Sequence, residues 1–204
     1  VRWQKNDGSL WFPDSFLPIL EETGEVEALD YYVYEAAFLW LSERMKKQQK
    51  IIPLSLNVSP IHFRKINTFI HKVSDLIDKY KIPSQYLIFE ITETTYIHNI
   101  DAVNQMIRFF QKKNIRISMD DFGSGYANLN AVLRIPFSAV KMDRSLLSGI
   151  SSDPQTATFY RSIVMILQHM GYKVIAEGAE TEKEVKLLEK WGVDMIQGYY
   201  FSRP

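Results

Sequence analysis

The 204-residue sequence has no cysteine, which excludes a disulfide framework and any thiolate zinc site. It has no surplus of charge either: 24 Lys and Arg balance 24 Asp and Glu. No bulk field therefore draws it to DNA or to an anionic bilayer, and a polyanionic ligand would need a local positive site such as metal ions. No apolar run is long enough to span a bilayer, and none reads as a signal peptide. The four histidines, His62, His71, His98 and His169, lack ligand spacing, which argues against a histidine metal centre. There is no Pro/Gly/Ser-rich linker, no low-complexity tract and no internal repeat, so residues 1–204 are expected to form one domain. There is also no initiator Met. The chain starts at Val1 in mid-element and stops abruptly at Pro204, so it reads as cut from a longer cytoplasmic protein whose parent could carry a membrane anchor in other segments.

What is present is a strand–helix alternation. Helical spacing predicts helices over residues 13–24, 25–48, 67–82, 101–114, 155–171 and 182–192. In the second of these, Leu29, Val33, Ala36, Ala37, Trp40 and Leu41 are the expected buried face. Short apolar runs predict six strands, over residues 51–59, 86–92, 115–121, 138–143, 172–178 and 194–201. This order argues for parallel strands joined by helical crossovers. An open doubly wound sheet fits the count, as does a (β/α)8 TIM-like barrel lacking its first strands.

The polar residues help decide. Each strand delivers such a group at or just past its C-terminal end: Asn57 and Ser59; Glu90 and Glu93; Asp120 and Asp121; Lys141 and Asp143; Glu177 and Glu180; Gln197. One carboxylate at a strand end is an ordinary loop residue. Six strands doing it suggests a shared face, since the C-terminal ends of a parallel barrel converge where active sites sit. Several carboxylates meeting there repel one another without cations. An oxygen-rich set without Cys or His suits Mg²⁺ or Mn²⁺. Two such ions sharing a carboxylate are the apparatus of phosphodiester hydrolysis. The adjacent Asp120 and Asp121 fit that use, one bridging both ions and the other holding one. Asp143 can also cap the short helix that "DRSLL" begins.

The ordered set "LNVS", "FEITE", "MDDFGSGY", "VKMDRS", "AEGAET" and "QGYYFSRP" resembles the EAL-domain family of bacterial cyclic-di-GMP phosphodiesterases along the whole chain. The resemblance implies a modified (β/α)8 barrel and metal-dependent hydrolysis of cyclic-di-GMP to linear pGpG, with two Mg²⁺ or Mn²⁺ ions. It implies that Asn57, Glu90 and Asp120 ligate the first metal. It places Asp120, Asp121 and Glu177 around the second. Glu177 is implied as general base, and Lys141 as the residue that orients the water or offsets phosphate charge. Gln197 and Glu180 would support the site, Arg2 would contact a substrate phosphate, and Glu93 would anchor the loop beginning at Phe122. The resemblance also implies a homodimer coupled to metal binding through the loop after Asp121, and an upstream sensory or diguanylate-cyclase-like domain. The Glu-Ala-Leu signature itself is absent. In the family it directly precedes "xRW", and its Glu is a first-metal ligand, so its place is just upstream of Val1. The competing expectations are a catalytically inactive cyclic-di-GMP receptor and an unrelated Mg²⁺ barrel enzyme.

Overall fold

The computed structural model describes residues 1–125 and 137–203. Its strands are β1 (Trp3–Gln4), β2 (Leu10–Trp11), β3 (Leu54–Asn57), β4 (Leu87–Thr92), β5 (Arg116–Phe122), β6 (Ala139–Met142), β7 (Lys173–Ala176) and β8 (Met195–Ile196). β1 and β2 form an antiparallel hairpin, and the other six hydrogen-bond in chain order, β3-β4-β5-β6-β7-β8. Pairing is parallel from β5 through β8, as the strand–helix alternation requires. The chain divides into two compact units: residues 1–89 with 99–115, and residues 90–98 with 116–204.

The first unit carries α1 (Pro13–Thr23), α2 (Val26–Lys46) and α3 (Ile66–Tyr80). Pro13 pre-sets the first turn of α1, and Gly24, at φ 81°, closes it in the left-handed region. In α3, Phe69, Ile70, Val73 and Ile77 are buried at one-face spacing. α2 differs from expectation. Of the expected face Leu41 is buried, but Ala36 and Trp40 are exposed, and the helix buries Val26, Tyr34, Phe38 and Ser42 instead. Apolar residues surround that helix, so periodicity alone does not select a face. The core here is aromatic: Phe89 stacks on Phe110 at 5.0 Å, and Phe69 and Tyr34 meet Phe89 edge-on at 6.2 and 5.9 Å. Of the aromatics near the N-terminus only Phe16 is buried; Trp3, Trp11 and Phe12 are exposed.

The second unit carries α4 (Glu93–His98), the one-turn α6 (Arg144–Leu147), α7 (Pro154–His169) and α8 (Glu182–Lys190); α5 (Ile100–Lys112) belongs to the first. Asp153 caps α7 by accepting from the Gln155 and Thr156 amides, and Thr181 with Glu184 makes a capping box on α8. Val140, Met142, Val174, Ala176, Val164 and Leu167 are almost fully buried. The last strand is shorter than the expected 194–201. Beyond Ile196 the chain turns to bond with Ala179, whose amide donates to Gln197 and whose carbonyl accepts from Tyr200. Gly198 permits this, because a Cβ there would fall on the Ala179 backbone. No helix among the described residues is long and apolar enough to cross a membrane.

Candidate metal centre and active-site cleft

The adjacent aspartates pose a geometric problem. Successive residues of a regular strand point to opposite faces, so Asp120 and Asp121 could not serve one site. The structure resolves this with a β-bulge. Met119 pairs with Val140 and Phe122 with Met142, so Asp120 and Asp121 together stand opposite Lys141 alone. Asp121 takes a left-handed backbone, φ 54°, which Asp tolerates better than most residues. Its amide donates to Asp120 Oδ1 at 3.1 Å. As a result carboxylate oxygens of Asp120, Asp121 and Glu177 lie within 4.8 Å of one another.

Lys141 sits at the hub. Its Nζ lies 3.1 Å from Glu90 Oε2, 2.8 Å from Asp120 Oδ1 and 2.8 Å from Glu177 Oε1. The side chains are 9–17% exposed, so these ion pairs act in a low-dielectric setting. Burial alone would lower the ammonium pKa; the Asp120 and Glu90 charges and hydrogen bonds to Asp120 and Glu177 outweigh it and hold Lys141 above its ordinary value. Burial raises Glu177 above the usual carboxylate range, against the hydrogen bond from Lys141. Asp121 is raised too, by burial and then by the charges of Asp120 and Asp143. One cation thus faces four carboxylates. That acceptor-only oxygen set fits a hard divalent cation held by Asp120, Asp121 and Glu177.

Beside the cluster is a cleft of about 320 Å³ lined by Asp121, Asp143, Arg144, Glu177, Glu180 and Gln197. Asp143 caps α6 by accepting from the Ser145 amide at 2.9 Å. Glu180 and Gln197 are exposed. Glu93 is buried, and its Oε2 accepts the Gly123 amide at 3.1 Å. The remaining expected site residues belong to the first unit. Arg2 is exposed, with its guanidinium 4.9 Å over the Phe12 ring. Asn57 closes β3, exposed between buried Leu56 and Val58. Most of the loop after Asp121, on which the dimer expectation rests, lies outside the described residues. Arg144 and Tyr199, also in the cleft, were not anticipated. Arg144 directly follows Asp143 at a strand end, and that position was its available signal. His62 is buried against Asp30.

The chain is 32% identical over 192 residues to the oxygen sensor protein DosP of Escherichia coli (strain K12), covering 94% of this chain and 24% of that protein. It is 32% identical over 200 residues to the probable cyclic di-GMP phosphodiesterase PdeA of the same organism, covering 98% and 27%. The chain therefore spans about a quarter of these relatives' length. The solved structure of the PaMucR phosphodiesterase in complex with c-di-GMP matches it at TM-score 0.90 and 28% identity, over 100% of this chain and 82% of that one. The EAL domain family model matches residues 1–204. This chain belongs to the EAL domain family, and its parallel α/β sheet is that of the family's TIM-like barrel.

Proposed function

We propose that this chain is the catalytic domain of a divalent-metal-dependent phosphodiesterase that opens cyclic-di-GMP to linear pGpG. The observation that carries the reading is the bulge at Asp120 and Asp121, which gathers three carboxylates at a strand end beside a cleft. A structural role alone would not favour such a cluster, because buried like charges are costly.

Asp120, Asp121 and Glu177 would hold one Mg²⁺ or Mn²⁺, and the family resemblance assigns Asn57, Glu90 and again Asp120 to a second. When bound, the ions supply positive charge for the phosphoryl oxygens and acidify a water. Glu177 takes the proton of the attacking water. As the new P–O bond forms, the P–O3′ bond breaks; the departing 3′ oxygen takes a proton from solvent, and Glu177 gives the proton it accepted back to solvent. Lys141, 2.8 Å from Glu177, orients that carboxylate and offsets developing phosphoryl charge. Glu93 holds the start of the loop after Phe122 through the Gly123 amide. Asp143, Glu180 and Gln197 border the substrate, and Arg2 contacts a phosphate.

The test uses the full-length parent protein. With Mg²⁺ or Mn²⁺ it should convert cyclic-di-GMP to pGpG. Glu177→Gln should abolish turnover while calorimetry still detects nucleotide binding. Undiminished turnover in that variant removes the base assignment. Tight binding by the wild type without turnover makes the protein a receptor, and no binding removes the reading entirely.

A further inference from the structure

The first unit contains a buried polar network separate from the acidic cluster. His62 is 3% exposed, with its ring against Phe69 at 4.6 Å and Tyr31 at 5.2 Å between centroids. Its Nε2 lies 2.9 Å from Asp30 Oδ2. The same oxygen accepts the Ser59 amide at 3.3 Å. One turn further along α2, Tyr34, 1% exposed, donates its hydroxyl to the backbone carbonyl of Asn57 at 2.6 Å. Asp30 and Tyr34 are spaced i, i+4, so they share a helix face. Together they grip the backbone on both sides of buried Val58.

Stability alone does not account for this arrangement. Three polar side chains are desolvated within an aromatic cluster where apolar groups of the same size would pack without that cost. What the network fixes is backbone geometry. β3 alternates, with Leu56 and Val58 buried and Ser55 and Asn57 exposed. A small rotation of this strand end would therefore re-aim the Asn57 amide directly. We infer that Tyr34, Asp30 and His62 are positioning residues: a clamp on residues 57–59 that holds the Asn57 side chain ready to ligate a divalent cation. This inference rests on the assignment of Asn57 as a metal ligand made above. Residues that orient ligands commonly change metal affinity about 10- to 100-fold when removed.

The experiment titrates the full-length protein with Mn²⁺ by calorimetry and follows thermal unfolding in parallel. Tyr34→Phe removes one oxygen and keeps the ring; it should weaken Mn²⁺ binding by about tenfold. His62→Leu, which leaves Asp30 without its buried donor, should do the same. His62→Gln, which can still donate to Asp30, should restore affinity toward wild type. A lowered unfolding midpoint with unchanged Mn²⁺ affinity in Tyr34→Phe and His62→Leu would mean that the network only stabilises the fold, and would overturn the clamp. Asn57→Ala distinguishes the two levels. If it leaves Mn²⁺ affinity intact, the ligand assignment fails and the clamp with it. If it weakens binding while the clamp variants do not, the clamp alone fails.

Discussion

Lys141 shows how one residue can hold an acidic centre together. Its ammonium is within 3.1 Å of Glu90, Asp120 and Glu177. Lys141→Met keeps the stem but leaves three close carboxylates without their cation. Breaking a buried ion pair from one side costs about 3–5 kcal/mol, and the partial exposure of these groups argues for the lower end. The expected result is a loss of about 3 kcal/mol by urea unfolding in Mg²⁺-free buffer, with part recovered on adding Mg²⁺. A loss below about 1 kcal/mol would show that water already screens the cluster. Arg144 calls for a different measurement. It lines the cleft beside Asp143, Glu177 and Glu180, and its planar fork suits a phosphate or a nucleobase edge. Arg144→Ala should raise KM for cyclic-di-GMP by about tenfold, the scale of one charge-assisted hydrogen bond, and leave Mn²⁺ affinity unchanged. An unaltered KM would remove Arg144 from the substrate contacts.

At the scale of elements, strand ends were the most legible feature. Apolar runs closing on carboxylates located β4, β5, β6 and β7 to within a residue or two, because a strand buried on both faces has a near-continuous apolar sequence. The buried face of α2 was misread because tertiary packing, not periodicity, selects Tyr34 and Phe38 over Ala36 and Trp40. The bulge was not legible. Two consecutive aspartates do not reveal which neighbouring strand opposes them, and the register with β6 is what turns both toward one site. Glycines at strand ends carry a related, testable load. Gly178 has φ 79°, and a Cβ there would collide with Cβ of Arg144. Gly178→Ala combines a left-handed backbone with a side-chain clash, each disfavoured by about 1 kcal/mol or more. It should destabilise by about 2 kcal/mol in urea. It should also slow turnover at temperatures where the variant remains fully folded, because it displaces the residue next to Glu177. Normal turnover would mean that the strand end accommodates the shift.

For the whole molecule, composition excluded much and specified little: no cysteine, zero net charge and few histidines left oxygen ligands and hard cations as the consistent chemistry. That chemistry links metal binding to stability. Without cations, Asp120, Asp121, Glu90 and Glu177 share only Lys141 among the described residues, and burial already raises Asp121 and Glu177 above their ordinary pKa values. Folding therefore works against their mutual repulsion. A divalent ion that binds the folded cluster and not the unfolded chain stabilises by RT ln(1 + [L]/Kd), about 2.7 kcal/mol at 100 times Kd. The unfolding midpoint of the protein should therefore rise steadily with Mg²⁺ or Mn²⁺ and fall back on adding a chelator. Asp121→Asn keeps a residue that tolerates the left-handed backbone while removing one negative charge. In the absence of metal it should be at least as stable as wild type, because a repulsive partner is gone. With metal it should gain less, because a ligand is gone as well. The two curves should converge or cross as the metal concentration rises, an outcome that a purely structural acidic cluster does not give. Parallel curves for wild type and Asp121→Asn would show that the ion binds elsewhere, and would separate the bulge from the metal site.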